Sequence, residues 1–178
     1  MISSVPNIIT LGRLLTVPFL AIVLSNQDYV LAFWLFVLVG ISDGLDGYIA
    51  RRFNAITPTG ALLDPVADKM LVITCASILA WDGLLPLWLA TPLVMRDVVM
   101  LAIGLLDNAV KDIQVPPNIW GKSHAALAFL SIAFALAQPV GLYHSEGVSQ
   151  ALWALLLLTL CISTTIYFVA WRRVRVGN

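Results

Sequence analysis

Charge is what this sequence has least of. Asp, Glu, Lys and Arg make up 11% of its 178 residues, against 60% hydrophobic, whereas a soluble domain carries roughly a quarter charged residues. That scarcity excludes an ordinary soluble protein and points to a bilayer. Neither sign of charge prevails, since ten Lys and Arg offset ten Asp and Glu, so there is no field to attract a nucleic acid and no such partner is expected. Cysteine is nearly absent. Cys75 and Cys161 both lie in apolar runs, where they read as small packing residues rather than as a disulfide or a metal pair. A cleavable secretory signal is missing too: the first apolar run contains Arg13 and Pro18 and no clear small-residue cleavage site, so it is expected to stay on the chain. There is no internal repeat, no low-complexity tract and no loop long enough to fold alone, which predicts one membrane domain over residues 1–178.

What the sequence has in quantity is apolar stretches of bilayer length. About 20 helical residues cross a hydrocarbon core, and six stretches fit: Asn7 to Leu24, Val30 to Arg51, Gly60 to Leu79, Leu84 to Leu106, Trp120 to Ala137, and Ser149 to Trp171. The predicted fold is an all-α integral membrane protein, a bundle of six transmembrane helices. Its orientation follows from loop cations, which collect on the cytoplasmic side. Arg51 and Arg52, Lys111, and Arg172, Arg173 and Arg175 all fall on one side, while the alternate loops hold Asp28, Asp82 and Glu146 without Lys or Arg. Both termini are therefore expected in the cytoplasm. The final Arg172-Arg173-Val-Arg175 reads as a topology anchor that attracts anionic membrane lipids.

Four carboxylates break the apolar pattern near the cytoplasmic ends of spans two and three: Asp43, Asp46, Asp64 and Asp68. A carboxylate at a helix centre costs about 2.5 to 3.5 kcal/mol on insertion scales, and less near the interface. The group therefore needs an offset. Asp43, Gly47 and Ala50 recur at i, i+4 and i+7 with Asp46 beside them, and Gly60, Asp64 and Asp68 recur at i, i+4 and i+8, so each helix carries an acidic stripe. The short connection from Arg51 to Thr59 predicts antiparallel neighbours whose stripes face each other. Facing carboxylates repel by about 4 kcal/mol per close pair at an effective dielectric near 20. Divalent cations remove that cost. An all-oxygen set without His or Cys favours Mg²⁺ or Mn²⁺, and two such ions suit phosphoryl transfer. Small residues on the same stripes let a bulky group approach the backbone.

The stretch Asp43-Gly-Leu-Asp46-Gly47-Tyr-Ile-Ala50-Arg51, eight residues, then Gly60-Ala-Leu-Leu-Asp64-Pro-Val-Ala-Asp68 matches the signature of the CDP-alcohol phosphotransferases, DxxDGxxAR(x8)GxxxDxxxD, at every defined position. The six-helix count and the start Pro-Asn-Ile-Ile-Thr-Leu-Gly-Arg also resemble that family. The resemblance implies roles. Asp43, Asp46 and Asp64 would hold two metals, with Asp68 completing the second site and serving as catalytic base on the acceptor hydroxyl. Asp43, Gly47, Ala50, Arg51 and Gly60 would bind the CDP donor, the small residues at its cytidine end and Arg51 at its diphosphate. It further implies a homodimer that transfers a phosphatidyl group from CDP-diacylglycerol to a lipid or polyol-phosphate acceptor with release of CMP; with the loop cations, the expected location is the cell's inner, cytoplasmic membrane, the active site on the cytoplasmic side.

Acceptor choice must come from elsewhere, and Arg96 and Lys122 on later helices are the candidate acceptor-binding cations. Phosphatidylglycerophosphate synthases typically show Arg-Glu with a second Arg eight residues on, then Gly-Lys-x-Lys. This chain has Arg96-Asp97, Gly104, and Gly121-Lys122-Ser123-His124, so two cations are missing. Met95 to Leu101 is more similar to the eukaryotic-type cardiolipin synthases. Fewer cations suit the singly charged phosphodiester of phosphatidylglycerol better than the doubly charged glycerol 3-phosphate, which stays the alternative acceptor; an inositol acceptor remains open.

Simpler roles compete for some of these residues. Isolated intramembrane acids more often belong to an ion or proton-coupled transporter, but the full signature and the lack of broken, repeated helices argue against one. A membrane prenyltransferase also uses Asp-rich motifs, though with more spans and separated clusters. Lys69 is expected to pair or snorkel, since it lies about 100° around the helix from Asp68. His124 reads as a polar packing residue, His144 as a loop residue, and Arg13 divides between snorkelling and substrate contact.

Overall fold

The computed structural model describes residues 5–52, 58–110, 119–142 and 145–176, with side chains over 15–42, 66–105, 119–142 and 145–172. All regular structure among them is helical: α1 (Val5–Ser25), α2 (Tyr29–Arg52), α3 (Pro58–Trp81), α4 (Leu87–Val110), α5 (Ile119–Ala137) and α6 (Glu146–Val176). Each helix contains one of the six apolar stretches to within a few residues at either end. Among the described residues, three segments are long and apolar enough to cross a membrane, Leu87–Leu105, Ile119–Ala137 and Glu146–Arg172, and Leu15–Ser25 and Tyr29–Ser42 are shorter apolar helices.

Three described connections reverse the chain in the same way. After α1, Asp28 N–H donates to Val23 O and Gln27 N–H to Leu24 O; after α3, Leu84 donates to Leu79 and Gly83 to Ala80; after α5, Leu142 donates to Ala137 and Gly141 to Gln138. This paired pattern needs a left-handed residue just past the helix. Gln27, Gly83 and Gly141 supply it, with φ of 59°, 77° and 81°. Asp28 then caps α2 by accepting from Leu31 N–H at 3.2 Å. Tyr29 Oη donates to Asp82 Oδ2 at 3.1 Å, which joins the start of α2 to the end of α3 and makes the two helices antiparallel.

Among the described residues, buried apolar side chains gather at this end of the bundle. Leu20 and Leu24 close α1, Phe36 opens α2, Cys75 and Leu79 close α3, Leu89 and Leu93 open α4, and Ile132 and Leu136 close α5. The stacked rings of Phe36 and Phe129, 4.2 Å apart, pack α2 onto α5. Gly40 makes this possible, because a methyl group there would overlap the Phe129 ring. Among the described residues α2 and α3 do not touch along their length; each packs on α1 and on α5. The halves that carry the acidic stripes lie outside the described side chains. Both cysteines are free, Cys75 inside the core and Cys161 exposed, so only the first packs as the sequence predicts.

Candidate active site

The signature positions occupy the last turns of α2 and the first turns of α3. Positions 43, 46, 47, 50 and 51 fall within about 14 Å of the C-terminal end of α2, and positions 60, 64 and 68 within about 15 Å of the start of α3, at ~1.5 Å per residue. The backbone thus puts every signature position on the halves of α2 and α3 away from the Tyr29–Asp82 contact. The side chains of Asp43, Asp46, Gly47, Ala50, Arg51, Gly60 and Asp64 lie outside the described residues. Asp68 is described and exposed. Among the described residues, no three His, Cys, Asp or Glu side chains group as metal ligands. The donor set itself fits a hard divalent cation, being carboxylate throughout.

One residue beyond Asp68, a polar layer crosses the bundle. Lys69 Nζ of α3 lies 3.9 Å from Asp97 Oδ1 of α4, so Lys69 pairs as the sequence predicts. Arg96 Nη1 donates to the same Asp97 oxygen at 2.6 Å. Arg96 Nη2 donates to Ser163 Oγ of α6 at 3.1 Å, and the Ser163 hydroxyl in turn donates to Leu160 O at 3.3 Å. Asp97 is 5% exposed, a burial a carboxylate tolerates only with cationic partners. It has two. Asp97 thus stands between Lys69 and Arg96.

α5 completes the layer. His124 is fully buried, with Nδ1 3.4 Å from Thr159 Oγ1 of α6, while Lys122, two residues earlier, is exposed. The two candidate acceptor cations therefore differ in setting: Arg96 is half-buried and anchored on two sides, and Lys122 sits on the surface of the first turn of α5. Four buried polar atoms have no hydrogen-bond partner among the described residues: Arg96 Nε, His124 Nε2, Ser131 Oγ and Thr164 Oγ1. The sequence pointed to Arg96 and Lys69 singly but not to the cluster, because Asp97, Thr159 and Ser163 each look unremarkable alone. The available signals were the spacing of Thr159 and Ser163, one helical turn apart on α6, and Asp97 as the one acid within span four.

An apolar helical bundle with three described helices of membrane-crossing length and the signature positions on two successive helices fits a membrane-type protein. The chain belongs to the CDP-alcohol phosphatidyltransferase family, whose model matches residues 3–171. It is 30% identical over 183 residues to a probable cardiolipin synthase (CMP-forming) of Drosophila melanogaster, covering 93% of this chain and 57% of that protein. A cardiolipin synthase (CMP-forming) of Streptomyces coelicolor is 36% identical over 140 residues, 75% of this chain and 64% of the relative. The CDP-diacylglycerol–glycerol-3-phosphate 3-phosphatidyltransferase of Bacillus subtilis is 26% identical over 192 residues, 98% of this chain and 99% of the relative. The chain thus spans between 57% and 64% of the first two proteins' length, and its relatives carry two different activity names.

Proposed function

We propose that this chain transfers a phosphatidyl group from CDP-diacylglycerol to the hydroxyl of an alcohol, releasing CMP, with phosphatidylglycerol as the acceptor. The observation that carries the reaction type is the complete eight-position signature, which falls on the adjoining ends of two successive antiparallel helices. The six helices are proposed to span the cell's inner membrane with both termini cytoplasmic, in keeping with the loop cations, so the acidic end meets the cytoplasmic leaflet. A homodimer is proposed on the family resemblance.

Asp43, Asp46, Asp64 and Asp68 are the proposed ligands of two divalent ions, Mg²⁺ or Mn²⁺, which when bound supply Lewis-acid stabilisation of diphosphate charge. Arg51 pairs with the donor's diphosphate, and Gly47, Ala50 and Gly60 leave room for the cytidine end. Asp68, exposed at the edge of the polar layer, takes the proton of the acceptor hydroxyl. The acceptor oxygen then bonds to the lipid-side phosphorus as the bond to CMP breaks in line. Arg96 and Lys122 attract the acceptor's phosphate.

The pairing of Arg96 bears on which acceptor is used. Arg96 is already committed to Asp97 and Ser163, which favours a singly charged phosphodiester over a phosphomonoester dianion. Glycerol 3-phosphate is the second reading, supported by the full-length match to the Bacillus subtilis relative. Supplying the purified protein with CDP-diacylglycerol and either acceptor in parallel decides between them by the lipid formed. Cardiolipin is the expected product, and product from glycerol 3-phosphate alone reverses the assignment.

A further inference from the structure

Ser163 is 1% exposed on α6, and a hydroxyl so buried needs hydrogen bonds. Its own helix supplies one, since the Ser163 hydroxyl donates to Leu160 O at 3.3 Å. With its single proton given away, the oxygen can only accept. What it accepts is an N–H of Arg96 Nη2 from α4, at 3.1 Å. The donor of Ser163 is satisfied without that contact, so the contact serves Arg96.

The guanidinium is held at both terminal nitrogens. Asp97, the next residue on the same helix, takes Arg96 Nη1 at 2.6 Å, and Ser163 takes Nη2 from across the α4–α6 contact. A hold at Nη1 alone would let the planar group swing about it; the second hold at Nη2 fixes the plane. Asp97 also lies 3.9 Å from Lys69 Nζ of α3, which follows Asp68 directly, so the fixed plane is tied to the turn that carries the proposed base. A guanidinium has five N–H donors, and Arg96 Nε has no partner among the described residues, so the two holds leave donors for an anion.

We infer that Ser163 is a positioning residue: by accepting from Arg96 Nη2 it fixes the plane in which the guanidinium meets the acceptor's phosphate, and so sets acceptor affinity through Arg96. The inference rests on the transferase reading above, in which Arg96 attracts that phosphate. A planar fork of N–H donors binds phosphate well when it is aligned with the oxygens, and a side chain ordered in advance loses less freedom on binding. Proton removal from the attacking hydroxyl stays with Asp68.

The test is steady-state kinetics of the full-length protein with each substrate varied in turn, the acceptor being phosphatidylglycerol or, if the wild type uses that instead, glycerol 3-phosphate. Ser163→Ala is expected to raise the acceptor KM by about 5- to 20-fold, since a hydrogen bond to a charged group is lost, while the KM for CDP-diacylglycerol stays within about twofold. Ser163→Thr keeps the hydroxyl and should bring the acceptor KM back to within about threefold of the wild type. Ser163→Cys keeps the bulk but offers only a weak sulfur acceptor, so it should behave like Ser163→Ala. In an Arg96→Lys background, which lacks Nη2, Ser163→Ala should change the acceptor KM by less than about twofold, because residues that act through one another are not additive.

An acceptor KM within about twofold of the wild type in Ser163→Ala overturns the inference. An equal rise in both KM values overturns it as well, in favour of a packing role, and so does an undiminished effect of Ser163→Ala in the Arg96→Lys background. If Arg96→Lys does not fold, the contrast between Ser163→Thr and Ser163→Cys carries the decision. A wild type that releases no CMP with any acceptor sinks the transferase reading instead. The thermal shift given by phosphatidylglycerol and by glycerol 3-phosphate then replaces KM: weaker binding in Ser163→Ala, recovered in Ser163→Thr, would still support the positioning role, and unchanged binding or no shift with the wild type would overturn it too.

Discussion

Asp68 and Asp97 are acids of opposite setting within one neighbourhood: the first exposed, the second buried between a lysine and an arginine. Exposure keeps Asp68 accessible to substrate, while burial commits Asp97 to holding Lys69 and Arg96. Asp68→Asn removes the proposed proton acceptor and is expected to lower kcat by about 10²- to 10⁴-fold; wild-type turnover in that variant refutes the base assignment. Tyr29, which stands just before the second apolar stretch, offers a pH-dependent test. Its phenol is held above its ordinary pKa by partial desolvation and then by the hydrogen bond and charge of Asp82. A raised pKa of this kind stabilises the fold fully below the unfolded value and is lost as pH rises through the folded one. The stability gap between wild type and Tyr29→Phe is thus expected at neutral pH and should close above about pH 10, as followed by thermal unfolding at stepped pH. At this scale the sequence disclosed the acids of the signature, because intramembrane carboxylates are conspicuous against Leu and Val. It did not disclose Asp97 with Ser163, since their meeting depends on how α4 lies against α6 and no spacing along one helix encodes that.

Helix identity was the most legible level. Bilayer length and apolar composition mark α1 to α6 without reference to tertiary contacts, and the largest shifts come at α4 and α6. There Pro86 delays the start of α4, while α6 begins at Glu146, ahead of its apolar run. Packing partners were less legible. Antiparallel α2 and α3 follow from the short connection between them, but the described halves of both rest on α1 and α5. Gly40 is the residue that seats α2 on α5. Gly40→Ala brings a methyl group onto the Phe129 ring, which Phe36 holds in place by stacking. Overpacking of this kind costs about 1 to 3 kcal/mol. A fall in detergent-phase melting temperature is expected, with partial recovery in Gly40→Ala/Phe129→Leu, and an unchanged melting temperature contradicts the packing account.

Among the described residues, leucines, stacked rings and three tight reversals gather where α1, α3 and α5 end, while the signature positions fall on the last turns of α2 and the first turns of α3. If divalent ions offset the repulsion among those acids, removing them should loosen the protein as well as stop turnover. Chelation is expected to lower the melting temperature and abolish protection by CDP-diacylglycerol, with Mg²⁺ or Mn²⁺ restoring both; indifference to chelation would rule out the metal assignment. The layer formed by Lys69, Arg96, Asp97, His124, Thr159 and Ser163 is contributed by four helices. Leucine faces in lipid slide past one another with little penalty, but this layer does not. Moving α4 by a single turn, about 5.4 Å, would separate Asp97 from Lys69 and Arg96 from Ser163, stranding charge in hydrocarbon. The layer therefore acts as a vertical index: it allows α3, α4 and α6 one mutual height, and with it one depth for the acids of the proposed site.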